Sequence, residues 1–187
     1  MKRRIFIGVP LNDEAKRGVE KLVKSLAKKR WPIRWEAARK WHVTLAFLGW
    51  IEEKRVVEVI KGVHVVKGFK ALELKFKGLG AFPDLLAPRV VWLSLKGDVT
   101  GLAQLSKTVQ AALKSKNLPV EERAFAAHVT IGRIGREVGM KLRSEMGRQI
   151  KKLVNMDLPY EWRADRVAVY ESKMKRSGSK YIKIEEY

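Results

Sequence analysis

Cysteine is absent from the 187-residue sequence, which excludes disulfides, thiolate nucleophiles and thiolate metal sites. Histidine is scarce, with His42, His64 and His128 as the whole complement. No apolar run approaches the roughly 18 to 20 residues of a membrane span. The basic start Met1–Arg4 passes straight into a short strand pattern rather than a signal-peptide core. A soluble, cytoplasmic protein without a membrane partner is expected. No Gly-rich loop followed by Lys-Ser/Thr is present, which argues against nucleoside-triphosphate hydrolysis. Acidic side chains are in deficit: 20 Asp and Glu face 40 Lys and Arg, a formal charge of +20.

That excess makes a polyanion the natural partner. A solvated surface is the plainer account, and abundant Lys, Arg and Glu with few amides also suit a heat-resistant protein with surface ion-pair networks. Neither explains a two-to-one ratio of signs. At 46% hydrophobic, the chain can bury one sizeable core or two small lobes sharing an interface, and it reads as one domain over residues 1–187.

Strand patterns fall at Arg4–Pro10, Trp41–Leu48 (ended by Gly49), Ala71–Phe76, Val90–Leu95 and Ala126–Ile134. Two or three more follow in the tail around Val167, Val169, Tyr181, Ile182 and Ile184. Helical spacing marks four segments: Asn12 to about Lys29, Glu52 to about Val65, Asp98 to about Lys114, and Val138–Val154. In the second, Val56, Val57, Ile60 and Val63 form the expected buried stripe. In the third, Leu102, Leu105, Val109, Ala112 and Leu113 turn inward and Asp98 caps the start. Gly78, Gly80 and Pro83 read as a glycine-rich connection. Strand, helix, strand, helix, strands occurs twice, so the expected architecture is α+β with two pseudo-equivalent lobes facing each other.

The repeat is sharpest at one motif. Residues 42–49 read His-Val-Thr-Leu-Ala-Phe-Leu-Gly and residues 128–135 read His-Val-Thr-Ile-Gly-Arg-Ile-Gly. Two of three histidines therefore sit in matched surroundings 128 − 42 = 86 residues apart. On a strand, His42 and Thr44 project to one face, as do His128 and Thr130, while Val43, Leu45, Val129 and Ile131 face the core. Lobes packed about an approximate twofold would bring both pairs to one small anion. Phosphodiester cleavage fits this set, with one imidazole accepting a proton from water and the other returning one to the leaving oxygen. Thr44, Thr130 and an arginine, Arg133 foremost, would hold the phosphoryl oxygens. Arg133 lies an odd number of positions from His128, so a regular strand would aim it away; Gly132 permits a bulge that re-aims it. Phe47 holds the equivalent place in the first copy and suits base stacking or core packing.

The bland alternatives are specific. A duplicated fold could keep Thr for strand propensity and His for packing. His64, without a matching partner, suits a surface or capping role. A zinc site is disfavoured, because no carboxylate stands three or four positions from either motif histidine. Trp31, Trp35, Trp41 and Trp92 suit a core or lobe interface better than RNA stacking. The basic turn Lys173–Lys180 is expected to be exposed, and its functional version is a contact to RNA phosphates.

The sequence resembles the 2H phosphoesterase superfamily, and within it the bacterial and archaeal RNA 2′,3′-cyclic phosphodiesterases, historically called 2′-5′ RNA ligases. The resemblance rests on Arg4-Ile-Phe-Ile-Gly-Val-Pro, the first motif with Ala46-Phe47-Leu48-Gly49, Gly78 to Phe82, Pro88-Arg89-Val-Val-Trp92, and the second motif ending in Arg133. It implies a bilobal LigT-like α+β fold and hydrolysis of a 2′,3′-cyclic phosphate to a 2′-phosphate without metal or cofactor. It further implies His42 as general acid toward the 3′ oxygen, His128 as general base for water, Thr44, Thr130 and Arg133 on the phosphate, and Phe47 near the base. The partner implied is RNA with a 2′,3′-cyclic phosphate end, tRNA fragments among the candidates, met by a monomer. Ala127 stands where the family often has proline. Two alternatives stay open: 2′-5′ end-joining by the reverse reaction, and a non-catalytic basic RNA-binding module.

Overall fold

The computed structural model describes residues 1–175 and 178–187. The β-branched and aromatic opening forms β1 (Lys2–Pro10). The Asn12 side chain then accepts from the Ala15 N–H at 2.9 Å and starts α1 (Asp13–Ala27), which buries Ala15, Val19 and Leu26 and leaves its charges outside. A short β2 (Ile33–Trp35) precedes the first motif strand, β3 (His42–Glu52), and α2 (Val56–Val63) follows. Next come β4 (Leu72–Phe82), β5 (Val90–Gly97) and α3 (Val99–Lys114). The second motif strand is β6 (His128–Ile134), trailed by α4 (Met140–Lys151), β7 (Glu161–Ala164), β8 (Ala168–Lys175) and β9 (Gly178–Glu186). No helix among the described residues is long and apolar enough to cross a membrane.

The strands form two antiparallel sheets, ordered β3-β1-β8-β9 and β2-β6-β5-β4-β7. This is the expected mixed α+β architecture, with an exchange between the halves. The first half, β1-α1-β3-α2-β4, gives its last strand to the other half's sheet beside β5, and β8 returns to pair with β1. The helices cross over as well: α3 packs on β3, while α1 reaches β7 and α4 covers β4. Neither sheet can then be completed by one half of the chain alone. The apolar core is continuous through Ile5, Val43, Leu45, Val129 and Ile131, and β3 and β6 meet across the two sheets.

Several local expectations are corrected. Gly49 does not end β3; a left-handed glycine (φ 69°) and a register shift beside it bend the strand, which continues to Glu52. The second helix is shorter than its pattern, flanked by 3₁₀ turns at Glu53–Arg55 and His64–Val66, so Val59 is buried and Val57 is exposed. Gly78 and Gly80 are strand residues of β4 rather than a connection. A side chain at Gly80 would enter the space of the Trp92 indole, and one at Gly78 would strike the carbonyls of Leu153 and Val154. Asp98 does not cap its own helix; it accepts from the Glu73 N–H at 3.1 Å and ties β5 to β4. Ala112 is only half-buried. Of the basic turn expected over 173–180, residues 176 and 177 lie outside the described residues.

Candidate active site

Each motif strand carries the same irregularity. In β3, Ile7 pairs with Ala46 and Gly8 with Thr44, which leaves Leu45 as an extra residue. In β6, Val91 pairs with Gly132 and Trp92 with Thr130, which leaves Ile131 extra. A one-residue bulge reverses the alternation beyond it. Leu45 and Ala46 are thus both buried, as are Ile131 and Gly132, and Phe47 and Arg133 return to the face of the histidines. The parity difficulty of Arg133 is resolved by a bulge that the chain contains twice.

A bulge frees a backbone carbonyl from the ladder, and a buried carbonyl needs a donor. The Leu45 carbonyl accepts from Ser106 Oγ at 2.6 Å and Gln110 Nε2 at 3.1 Å, both on α3. The Ile131 carbonyl accepts from the Glu36 N–H at 2.8 Å. Each irregularity is therefore held by an element outside its own hairpin.

The two rings share one hydrogen-bonding scheme. His42 Nδ1 donates to the Lys40 carbonyl at 2.6 Å, and His128 Nδ1 donates to the Ala126 carbonyl at 2.7 Å. A carbonyl can only accept, so Nδ1 carries the hydrogen and Nε2 is left for proton exchange. In the neutral His42 ring, Nε2 accepts from the Thr44 hydroxyl at 3.1 Å. Burial holds the His42 pKa down to about 4; the Lys40 carbonyl opposes this, and the charges of His128 and Arg133 add to it. His128 is also lowered, by burial first and then by Arg133.

Both histidines line a cleft of about 400 Å³ together with Thr44, Thr130, Arg133 and Phe47. The structure thus brings all six expected residues together. His64 is elsewhere, exposed at the end of α2 and edge-on to Tyr187 at 5.5 Å. Of the tryptophans, Trp41 is core, Trp31 and Trp35 pack against it, and Trp92 lies 5.8 Å from the His128 ring beside Phe82.

The cleft also holds residues that sequence reasoning missed. Glu36 sits between two cations, accepting from Lys40 Nζ at 2.7 Å and Arg133 Nε at 3.1 Å. Burial favours its neutral form, but the bonds and charges of Lys40 and Arg133 outweigh that and hold the carboxyl below its usual range. Phe6, Tyr170 and Tyr181 form an aromatic bed for the His42 ring, at 4.8, 6.1 and 5.5 Å. Burial raises both tyrosines, Tyr170 to about 12, so they stay neutral near pH 7. The Arg4 guanidinium lies over Phe47, 4.7 Å from the ring centroid, and so covers one face of that ring. Alternation along β1 and β9 gives the only sequence signal for Arg4, Phe6 and Tyr181. Glu36 has none, because it follows a three-residue strand.

The family model described as LigT like Phosphoesterase matches residues 9–92 and 96–181. The chain belongs to that family. Its two matched segments each contain one motif histidine, in keeping with the duplicated bulge. Among the proteins similar to it, an RNA 2′,3′-cyclic phosphodiesterase of Thermotoga maritima is 28% identical, over 95% of this chain and 91% of that one. Another of that name, from Aquifex aeolicus, is 32% identical over 82% and 80%. The crystal structure of TT0787 from Thermus thermophilus superposes with a TM-score of 0.79 at 19% identity, covering 98% of this chain and 96% of that one.

Proposed function

We propose that this LigT-like phosphoesterase hydrolyses RNA 2′,3′-cyclic phosphate ends to 2′-phosphates, with His42 and His128 as an acid/base pair. The observation that carries the reading is the matched tautomer: both rings give Nδ1–H to a carbonyl two residues back, which leaves each Nε2 as the unprotonated nitrogen that faces the reaction. In the forward step, His128 takes a proton from water as its oxygen bonds to phosphorus. The bond from phosphorus to the 3′ oxygen breaks, and His42 supplies the proton that this oxygen needs. Thr44, Thr130 and Arg133 hold the phosphoryl oxygens, where negative charge builds up. Phe47 presents the face not covered by Arg4 to the terminal base.

The surroundings on their own favour two neutral rings. A phosphate anion between them favours the charged form of each, so the acid proton enters with or after the substrate. The names of the Thermotoga and Aquifex relatives support RNA as the substrate. We extend the reading to a single domain, tied together by the exchanged strands β4 and β8, acting as a cytoplasmic monomer on short RNA ends such as tRNA fragments. Water is abundant where a 5′-hydroxyl strand is not, which favours hydrolysis over end-joining.

The test is to incubate the purified protein with an oligoribonucleotide bearing a 2′,3′-cyclic phosphate and a second strand bearing a 5′-hydroxyl. Accumulation of the 2′-phosphate is the expected result. A joined 2′-5′ product would assign the ligase instead, and bound but unchanged RNA would assign a non-catalytic module.

A further inference from the structure

Among the described residues lining the cleft, Arg4, Arg34 and Ser172 have no task in the reaction at the cyclic phosphate. They converge at one end of the β8-β9 hairpin. Ile5 pairs with Glu171, so the next step of that register sets Arg4 beside Ser172. Arg4 Nη1 reaches Met174 Sδ at 3.6 Å. Arg34 comes from the other sheet and lies against Gly178, where an added Cβ would be 3.5 Å from its Nη1. Arg4 and Arg34, one from each sheet, thus reach the same end of the hairpin.

Neither arginine has a carboxylate partner among the described residues, and the oxygens of Glu36 are taken by Lys40 and Arg133. Arg34 also stands directly across the strand pair from Arg133, a like-charge arrangement that weakens a sheet when nothing offsets it. Ser172 is 3% exposed, and its Oγ has no hydrogen-bond partner among the described residues. A buried hydroxyl left in that state is costly, and it marks a place made for an acceptor from outside. The charges agree: among the described residues, Arg4, Arg34, Lys40 and Arg133 against Glu36 leave 4 − 1 = 3 positive charges lining the cleft, whereas a cyclic phosphodiester carries one negative charge.

We propose that Arg4, Arg34 and Ser172 form a second phosphate subsite, which holds the phosphate on the 5′ oxygen of the nucleoside bearing the cyclic end. The inference rests on the function proposed above and narrows its substrate to ends that carry a second phosphate. Fork-shaped guanidiniums suit such an oxyanion, and Ser172 adds a neutral donor. A nucleoside 2′,3′-cyclic phosphate fills one subsite; an oligonucleotide end fills both.

The experiment compares kcat/KM for four substrates: uridine 2′,3′-cyclic phosphate, its 5′-phosphorylated form, a dinucleotide with the same cyclic end, and that dinucleotide with a neutral methylphosphonate linkage. Removing one charged linkage should lower kcat/KM about ten- to a hundredfold. Arg4→Gln and Arg34→Gln should each shrink that ratio toward one, and Ser172→Ala should reduce it less. A ratio is insensitive to partial loss of folded protein. A larger gain from the dinucleotide than from the 5′-phosphate assigns the internucleotide phosphate, and the reverse assigns a free 5′-phosphate. Equal kcat/KM for the natural and methylphosphonate dinucleotides, or a ratio unchanged in both arginine variants, overturns the subsite and leaves hydrolysis of the cyclic end standing. Absence of turnover on all four removes the underlying function, and the subsite with it.

Discussion

Glu36 holds Arg133 in two ways at once. Its backbone N–H donates to the Ile131 carbonyl at the bulge that turns Arg133 into the cleft, and its carboxylate accepts from Arg133 Nε at 3.1 Å. The backbone bond fixes where the arginine starts, and the side-chain bond fixes where the guanidinium points. Glu36→Gln keeps the first and weakens the second. The expected outcome is a loss of kcat/KM on a cyclic-phosphate RNA of about ten- to a hundredfold. The Glu36 charge also favours protonated His42, so the acid limb of the kcat/KM profile should move to lower pH. An unmoved profile with unchanged kcat/KM would show that Arg133 does not depend on Glu36.

Gly8 underlies the His42 ring. A Cβ added there would lie 2.9 Å from His42 Cδ2, closer than real contacts allow, and 3.0 Å from the Val43 carbonyl, tighter than most real contacts. Gly8→Ala should therefore push the imidazole away from the phosphate position and lower kcat about a hundredfold, the scale of a 1 Å misplacement. Steady-state kinetics, with circular dichroism to confirm the fold, would check this; undiminished kcat would mean that the ring has room to spare.

Ser106 shares the Leu45 carbonyl with Gln110. Ser106→Ala leaves that carbonyl one donor, for a stability loss of about 1 kcal/mol, or about 2–4 °C in thermal midpoint for a chain of this size. Calorimetry of the two proteins is the measurement, and an unshifted midpoint would mean that the bulge is satisfied by Gln110 alone.

Stability should also follow pH through His42. Its pKa falls from 6.5 to about 4 on folding, so between those values the unfolded chain binds the extra proton and the folded chain does not. Stability contributed by the neutral ring is present above about pH 6.5 and is lost as pH falls toward 4. His128, lowered in the same direction, adds to the slope. Denaturant unfolding at pH 4.5, 5.5, 6.5 and 7.5 should give rising midpoints over the first three, and His42→Gln should flatten the rise. A slope identical in that variant would place the linkage on other groups.

The kinetic profile should carry the same signature. With both rings depressed in the free protein and raised by a bound phosphate, the bell for kcat/KM should centre at lower pH than the bell for kcat. Coincident bells would contradict the idea that the substrate anion raises the pair.

The sequence made the fold class and the two histidines legible because a duplicated His-Val-Thr on a strand fixes both the residue type and the face it points to. It made Arg133 legible only as a conditional, since Gly132 permits a bulge without requiring one. The structure supplies the requirement through a donor, Glu36, that approaches from β2. Glu36, Arg34 and Lys40 were hidden because a three-residue strand and the 3₁₀ turn after it have no periodicity to read. The exchange of β4 and β8 was hidden as well, because strand order depends on pairing partners far apart in the chain. Val57 misled the pattern, since a 3₁₀ turn ahead of α2 rotates its apolar stripe by one position.

Whether two proton-exchanging rings act on one phosphorus is read from single-turnover hydrolysis of a 2′,3′-cyclic-phosphate oligoribonucleotide by His42→Ala, His128→Ala and the double variant. A paired acid and base should lose about 10²- to 10⁴-fold in each single variant, with RNA affinity retained and the double variant little worse than either single one. Near-full activity in either single variant, or loss of RNA binding in step with loss of turnover, would contradict that pairing.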